Sequence, residues 1–182
     1  MKCWCTYLCL VCFYTGFTQT RAELTKPAYS RCIKINPLSL AIGSISVHYE
    51  KIISNEKSIN IFANLLNLRY RNNFYGFGLG AGLRSYFTGS DKNSFYVEPF
   101  LKYQFLSNAY NIGSINAISI GLTGGRKWTV THRITFEFFG GPLLSKGFIK
   151  QGTMPAYTNA ETLGPLNGIW FRGGIAVGYS FN

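Results

Sequence analysis

Tyr75-Gly76-Phe77-Gly78-Leu79-Gly80-Ala81-Gly82-Leu83-Arg84-Ser85-Tyr86-Phe87 alternates with a period of two. Large apolar residues occupy most odd positions, while four successive glycines, then Arg84 and Tyr86, occupy the even ones. A period of two places successive side chains on opposite faces of an extended strand, here one greasy face and one small or charged face. The same alternation recurs at Ser94 to Phe105. There Phe95, Val97, Pro99, Leu101, Tyr103 and Phe105 oppose Ser94, Tyr96, Glu98, Phe100, Lys102 and Gln104. It recurs again at Ile169 to Phe181, where Phe171, Ile175, Val177, Tyr179 and Phe181 oppose Arg172, Gly174, Ala176, Gly178 and Ser180.

Eight segments carry this pattern, at about 32 to 41, 44 to 54, 57 to 68, 74 to 88, 93 to 106, 114 to 128, 132 to 147 and 168 to 181. Long strands with two-residue alternation and aromatic ends predict an all-β fold, an eight-stranded antiparallel up-and-down transmembrane β-barrel. Charged residues make up 14% of the chain and aromatics 16%, against about 25% charged in an average soluble protein, which suits a lipid-facing surface. Beyond the N-terminus polar residues interrupt every hydrophobic stretch, so insertion into a bilayer would be by strands.

The weak points of the pattern are local. Pro37 shifts the phase of the first segment, which predicts a bulge or a two-part strand, and the third segment drifts at Leu65-Leu66. Pro99 stands inside the fifth segment, although central strands disfavour proline. Short inner turns are expected at Ser54-Asn55-Glu56, Gly89 to Lys92 and Thr129 to Thr131. The longest outer loop is expected at Phe148 to Asn167, and the first outer connection, around Ile42-Gly43, is as tight as an inner turn.

Lys2 and the apolar run Trp4 to Phe17 read as a secretory signal. The expected organisation is a signal peptide over 1–22, a short periplasmic segment over 23–31, and the barrel over 32–182. Cleavage after either Thr18 or Ala22 fits. Cys3, Cys5, Cys9 and Cys12 leave with the signal, so Cys32 alone remains, and neither a disulfide nor a metal site is expected. Removing the first 22 residues takes away Lys2 and Arg21 and leaves 16 basic against 7 acidic residues, a net charge of +9. No basic helix or zinc module accompanies this charge, so nucleic acid is not an expected partner and anionic lipid headgroups are.

Glycines on an outward face would leave holes, whereas inside a narrow barrel they make room for large neighbours such as Tyr96 and Phe100. The small and charged face therefore points inward. A hairpin pairing Thr88 with Ser94 sets Arg84 opposite Glu98 and Gly82 opposite Phe100. The same phase turns Lys34, His48, Glu50, Arg84, Glu98, Lys102, Glu137 and Arg172 into the lumen. A carboxylate there is costly unless paired, so Arg84, Lys102 and Arg172 are the expected partners of the acids, and a packed ion network is favoured over a wet pore.

The chain ends Gly178-Tyr179-Ser180-Phe181-Asn182, an aromatic residue preceded two places earlier by another. With the signal segment and the eight alternating strands, this resembles the small OmpA/OmpX-like outer-membrane β-barrels of Gram-negative bacteria, over essentially everything after residue 31. Asn36-Pro37-Leu38-Ser39-Leu40, Ile45-Ser46-Val47-His48-Tyr49-Glu50 and Phe95-Tyr96-Val97-Glu98-Pro99 are similar to uncharacterised members of that group. The resemblance implies residence in the bacterial outer membrane amid lipid and lipopolysaccharide, without a cofactor. It also implies assembly by the outer-membrane barrel machinery, with Tyr179 and Phe181 as the last-strand assembly signal. It supplies no ligand.

Three functions compete on the residues. One is a non-enzymatic barrel with a structural role, or one binding an unknown extracellular ligand through the loop at 148–167. The second is a lipid A-modifying enzyme using His48. Ser46, His48 and Glu50 share a face, but residues two apart on a strand lie about 6 to 7 Å apart, too far for a hydrogen bond along it. The other histidine, His132, falls at an inner turn. The third is a soluble secreted lipid-binding barrel, which would bring Phe95, Leu101, Phe171 and Val177 inside.

Overall fold

A computed structural model of the protein describes residues 29–41, 43–68, 74–89, 93–108, 113–131, 133–151 and 166–182. Eight strands form one closed antiparallel barrel in sequence order: β1 (Arg31–Ile35), β2 (Ser44–Ser54), β3 (Lys57–Leu68), β4 (Phe74–Tyr86), β5 (Ser94–Asn108), β6 (Gly113–Thr131), β7 (Ile134–Gln151) and β8 (Gly168–Phe181). Closure is direct: Arg31 pairs with Phe181 and Ile35 with Val177. Followed across the pairs from Cys32 through Glu50, Asn60, Gly82, Phe100, Gly121, Leu143 and Trp170, the register returns to the first strand ten residues further along. A stagger of that size tilts the strands by about 35–45°, and eight strands leave an interior that side chains can fill.

The two-residue period decides which face each side chain takes. Leu79, Leu83, Phe95, Leu101, Phe138 and Phe171 are exposed on the outside, while Arg84, Tyr96, Glu98, Lys127 and Glu137 are buried within. The hairpin register follows the sequence expectation. Gly82 faces Phe100, Tyr86 faces Tyr96, and the Thr88 amide donates to the Ser94 hydroxyl at 3.1 Å.

Four details differ from the sequence reading. The first strand ends at Ile35, and Leu38–Ala41 forms a helical turn, α1, in place of the expected bulge. Pro37 suits the start of such a turn, the Ser39 hydroxyl donates to the Asn36 carbonyl at 2.6 Å, and Gly43 at φ 73° accepts the left-handed conformation that ends it. Tyr29 and Ser30 already belong to the wall, since the Ser30 carbonyl accepts from the Ile52 amide at 2.9 Å. β3 shows no drift: Leu65 stays outside and Leu66 on the inner phase. β6 and β7 run longer than expected, so residues 129–131 are strand, Arg133 lies in a turn, and residues 148–151 belong to β7 instead of the loop. The signal segment, Asp91, His132 and residues 152–165 lie outside the described residues.

Pro99 stays within β5, facing out. Having no N–H it cannot donate to β4, and the β4–β5 ladder passes from Gly82–Phe100 straight to Ser85–Val97. Pro142 makes the equivalent break between β6 and β7, where pairing skips from Gly121–Leu143 to Gly124–Gly140. An apolar groove of about 800 Å³ crosses the outer wall at this height, lined among others by Leu83, Pro99, Leu122 and Pro142.

The inner glycines do make room, though not for the expected neighbours. A Cβ on Gly80 would collide with the Phe62 ring, and one on Gly82 would lie 2.6 Å from the Glu98 carboxylate. Phe100 instead packs against Gly121, and Tyr96 against Gly125. A Cβ on Gly121 would stand 2.6 Å from Phe100 Cζ and 2.7 Å from the Pro142 carbonyl oxygen, whereas on outward-facing Gly124 it meets nothing nearer than 4.0 Å. Gly121→Ala is therefore expected to cost about 1–3 kcal/mol, and Gly124→Ala to stay within about 0.5 kcal/mol, in equilibrium urea unfolding of the refolded barrel.

Candidate functional site

Inside the barrel, toward the end that carries the short turns, one charged residue from each of six strands meets in a single cluster. These are Lys34 (β1), Glu50 (β2), Arg84 (β4), Glu98 (β5), Lys127 (β6) and Glu137 (β7). The Lys34 ammonium lies 2.6 Å from Glu50 and also bonds Glu137. Arg84 donates from Nε to Glu98, and from Nη1 to both Glu137 oxygens at 3.0 and 3.1 Å. Lys127 donates to Glu50 at 3.2 Å. β3 contributes neutral donors: Ser58 Oγ reaches Glu50 at 2.6 Å and Asn60 Nδ2 reaches Glu98 at 2.9 Å. β8 contributes space, because a Cβ on Gly178 would sit 2.6 Å from Lys34 Cγ.

The cluster is dry and balanced, three cations against three carboxylates, all with side chains no more than 2% exposed. Removing two charges from water costs several kcal/mol each, and their mutual attraction offsets this only when the remaining lone pairs and protons also find partners. Tyrosines complete that second requirement. Tyr86 donates to Glu50, and Tyr96 donates to Glu137 at 3.4 Å while its ring lies 4.3 Å beneath the Arg84 guanidinium. Lys127 stands over the rings of Tyr29 and Tyr86.

Of the eight residues singled out by sequence, five join this cluster. His48, Lys102 and Arg172 face inward but stand apart from it. His48 packs between Phe62 and Phe139, with ring centroids 5.6 and 5.9 Å away. Its Nε2 lies 3.3 Å from Ser46 Oγ, so the two do bond along the strand, contrary to the expected separation. Side-chain torsions close a gap that backbone spacing alone leaves open. Glu50 cannot orient this pair, since both its oxygens are held by Lys34, Lys127, Ser58 and Tyr86, and His48 Nδ1 has no partner among the described residues. Lys102 and Arg172 make no ion pair with an acid among the described residues. Arg172 instead lies over Phe62, Phe100 and Phe139, at 4.0, 4.7 and 5.5 Å.

Lys127 fills the role expected of those two cations. Its signal was present, because Ile118, Ile120 and Leu122 fix the outward phase of β6 and place Lys127 on the inner one. At the barrel seam Tyr179 is half exposed, its hydroxyl accepting from Arg133 at 2.9 Å, and Phe181 pairs with Arg31. Among the described residues no group of three or more metal-ligating side chains converges.

No family model, curated protein or solved structure matches this chain.

Glu137→Gln leaves Lys34 and half of the Arg84 fork facing an uncharged amide, and is expected to cost about 3–5 kcal/mol in urea unfolding. Combining it with Lys34→Met is expected to recover at least about 1 kcal/mol in a double-mutant cycle, since the orphaned cation is then removed.

Proposed function

We propose that this chain is an integral outer-membrane β-barrel of the small OmpA/OmpX-like kind, non-enzymatic, with a structural or surface-binding role carried by its loops. One observation carries the reading: the polarity of the molecule is inside out for a protein in water. Six buried charges occupy the centre, while a closed belt of aliphatic side chains including Ile33, Val47, Ile61, Leu79, Leu101 and Ile120 faces outward. Aromatic residues border that belt at both rims. Phe87, Phe95, Phe136 and Tyr179 stand at the turn end, and Tyr75, Phe77, Tyr103 and Phe148 at the loop end. An apolar band between two aromatic girdles is what a barrel presents to a bilayer.

Arg126 strengthens the turn-end rim. Its guanidinium lies 4.9 Å from both the Phe95 and the Trp128 rings, placing a cation where lipid phosphates meet an apolar band. The soluble lipid carrier loses its premise, since Phe95, Leu101 and Phe171 lie outside. Among the described residues no acid orients the His48 ring, as an enzyme built on it would need. Binding then falls to the loop end, where the sequence between β7 and β8, 152–167, is the longest stretch joining two strands, and connections of that length are in general either functional or plain linkers.

Expressed in a Gram-negative host, the protein is expected in the outer-membrane fraction, migrating faster on a denaturing gel before boiling than after. Recovery in the soluble periplasmic fraction would overturn the reading. In planar bilayers the sealed cluster is expected to give no steady ion current, and an open-channel conductance would show that the lumen is not closed. Replacing residues 152–165 by a Gly/Ser linker of equal length is expected to preserve heat-modifiability while removing any surface-binding phenotype.

A further inference from the structure

Charge is distributed unevenly along the inside of the barrel. Toward the turn end every cation has a carboxylate. Further toward the loop end, the inner face carries Lys102, Arg172, Asn64, Gln104, Ser119 and Ser145, with no carboxylate among the described residues there. Glu50, Glu98 and Glu137 are engaged below, and Glu56 lies in the turn between β2 and β3 at the opposite end. The Arg172 guanidinium lies over Phe100, the inner neighbour of Lys102 on β5, so the two cations share one stretch of the inner face. Neither cation makes an ion pair with a carboxylate among the described residues; Glu98, already held by Arg84 and Asn60, acts on Arg172 only at longer range.

The local geometry prepares a ligand surface. The Arg172 guanidinium is fixed over Phe62, Phe100 and Phe139, and its buried Nη1 finds no acceptor among the described residues. Lys102 sits between Gly80 and Ser119 in the paired rows, and Ser119 Oγ and Ser145 Oγ share one hydrogen bond of 2.7 Å. Whichever serine donates in that bond, the other keeps a hydroxyl hydrogen to give onward. Trp170, the next inner position on β8 toward the loop end, is 42% exposed, while Ser119 and Ser145 are buried.

We propose that the loop-end half of the lumen binds a phosphoryl oxyanion, with Arg172 and Lys102 as its cationic clamp and the Ser119–Ser145 pair as a neutral donor. A guanidinium offers two parallel N–H groups that match two oxygens on one phosphorus, and an ammonium adds a point charge, so a multi-oxygen anion fits better than a halide. A lipid headgroup phosphate and free phosphate share this chemistry. The site goes beyond the membrane reading and does not depend on it.

The test uses the full mature chain refolded in neutral-detergent micelles and carrying Trp128→Phe, so that Trp170 dominates the fluorescence. Titration with inorganic phosphate is expected to give a saturable change. Affinity is expected to fall at least tenfold in Lys102→Gln and in Arg172→Gln, but not in Lys146→Gln on the outer face. Heat-modifiability checks that each variant is folded, and Arg172→Lys, which keeps the charge, is expected to bind more weakly than the parent and better than Arg172→Gln. Displacement of phosphate by phosphatidic acid in the micelle would support the site and identify a headgroup. Saturable phosphate binding without displacement would support it with the free ion. No saturable response to either, or an affinity in Lys102→Gln and Arg172→Gln unchanged from the parent, would overturn the proposal. Binding that emerges only after Glu161→Gln would also overturn it, by showing that the chain's own carboxylate fills the site.

Discussion

The constraint on which the rest of this structure depends is the neutralisation of Glu50, Glu98 and Glu137, whose side chains are at most 2% exposed. Each carboxylate is met by cations from other strands, and the cations are shared in turn: Lys34 serves Glu50 and Glu137, while Arg84 serves Glu98 and Glu137. No hairpin could satisfy this set alone. The cluster closes only when β1, β2, β4, β5, β6 and β7 stand in their final order, so it couples barrel closure to a single arrangement of the wall. A buried ion network is weak evidence for high stability, because well-packed apolar residues can do as well. Its contribution here is specificity of register.

That specificity follows from the pleat. Slipping one strand by a single residue turns its whole inner set outward. For β4 the slip would carry Arg84 and Tyr86 to the outer face and bring Leu79 and Leu83 inside. An arginine turned to lipid costs up to about 2–4 kcal/mol at the bilayer midplane and less toward the rim, where Arg84 stands, and its abandoned partners would add the penalty of unpaired buried carboxylates. The glycines reinforce the same choice sterically. Gly82 leaves the volume that Glu98 occupies, and Gly178 the volume that Lys34 and Thr135 occupy. Charge and shape therefore select one register by independent means, and Pro99 and Pro142 are tolerated because they interrupt the ladder on the outer wall without moving any inner side chain off phase.

The fold was legible because a period of two admits few interpretations once it spans a dozen residues. Strand order, the β4–β5 register and the contact between Arg84 and Glu98 all follow from alternation and one hairpin. The departures arise where local backbone chemistry outweighs periodicity. Pro37 reads as a phase shift, but Ser39 and Gly43 supply the side-chain bond and the left-handed residue that make a helical turn there. The site was less legible than the fold because phase gives a side chain's face but not its reach. Lys102 and Arg172 were expected to meet the acids, yet Lys127 does so from a position that alternation had already turned inward. Arg172 is long enough to lie across the lumen on three phenyl rings, and Ser46 and His48 meet through their side-chain torsions although their backbones are two residues apart.

The two halves of the lumen now read as one design with a division of labour. Below, three cations and three carboxylates cancel in side chains that are almost wholly buried. Above, Arg172 is stabilised by the quadrupoles of aromatic faces, which attract a cation without neutralising it. Aromatic rings thus fix the guanidinium in place and leave its charge available, whereas a carboxylate would have done the first and cancelled the second. The boundary between the halves is the Phe62–Phe100–Phe139 layer, and Gly80 and Gly121 exist on the inner wall to admit two of those rings. The glycine pattern that first announced a barrel is thereby also what separates its neutral floor from its positive upper chamber.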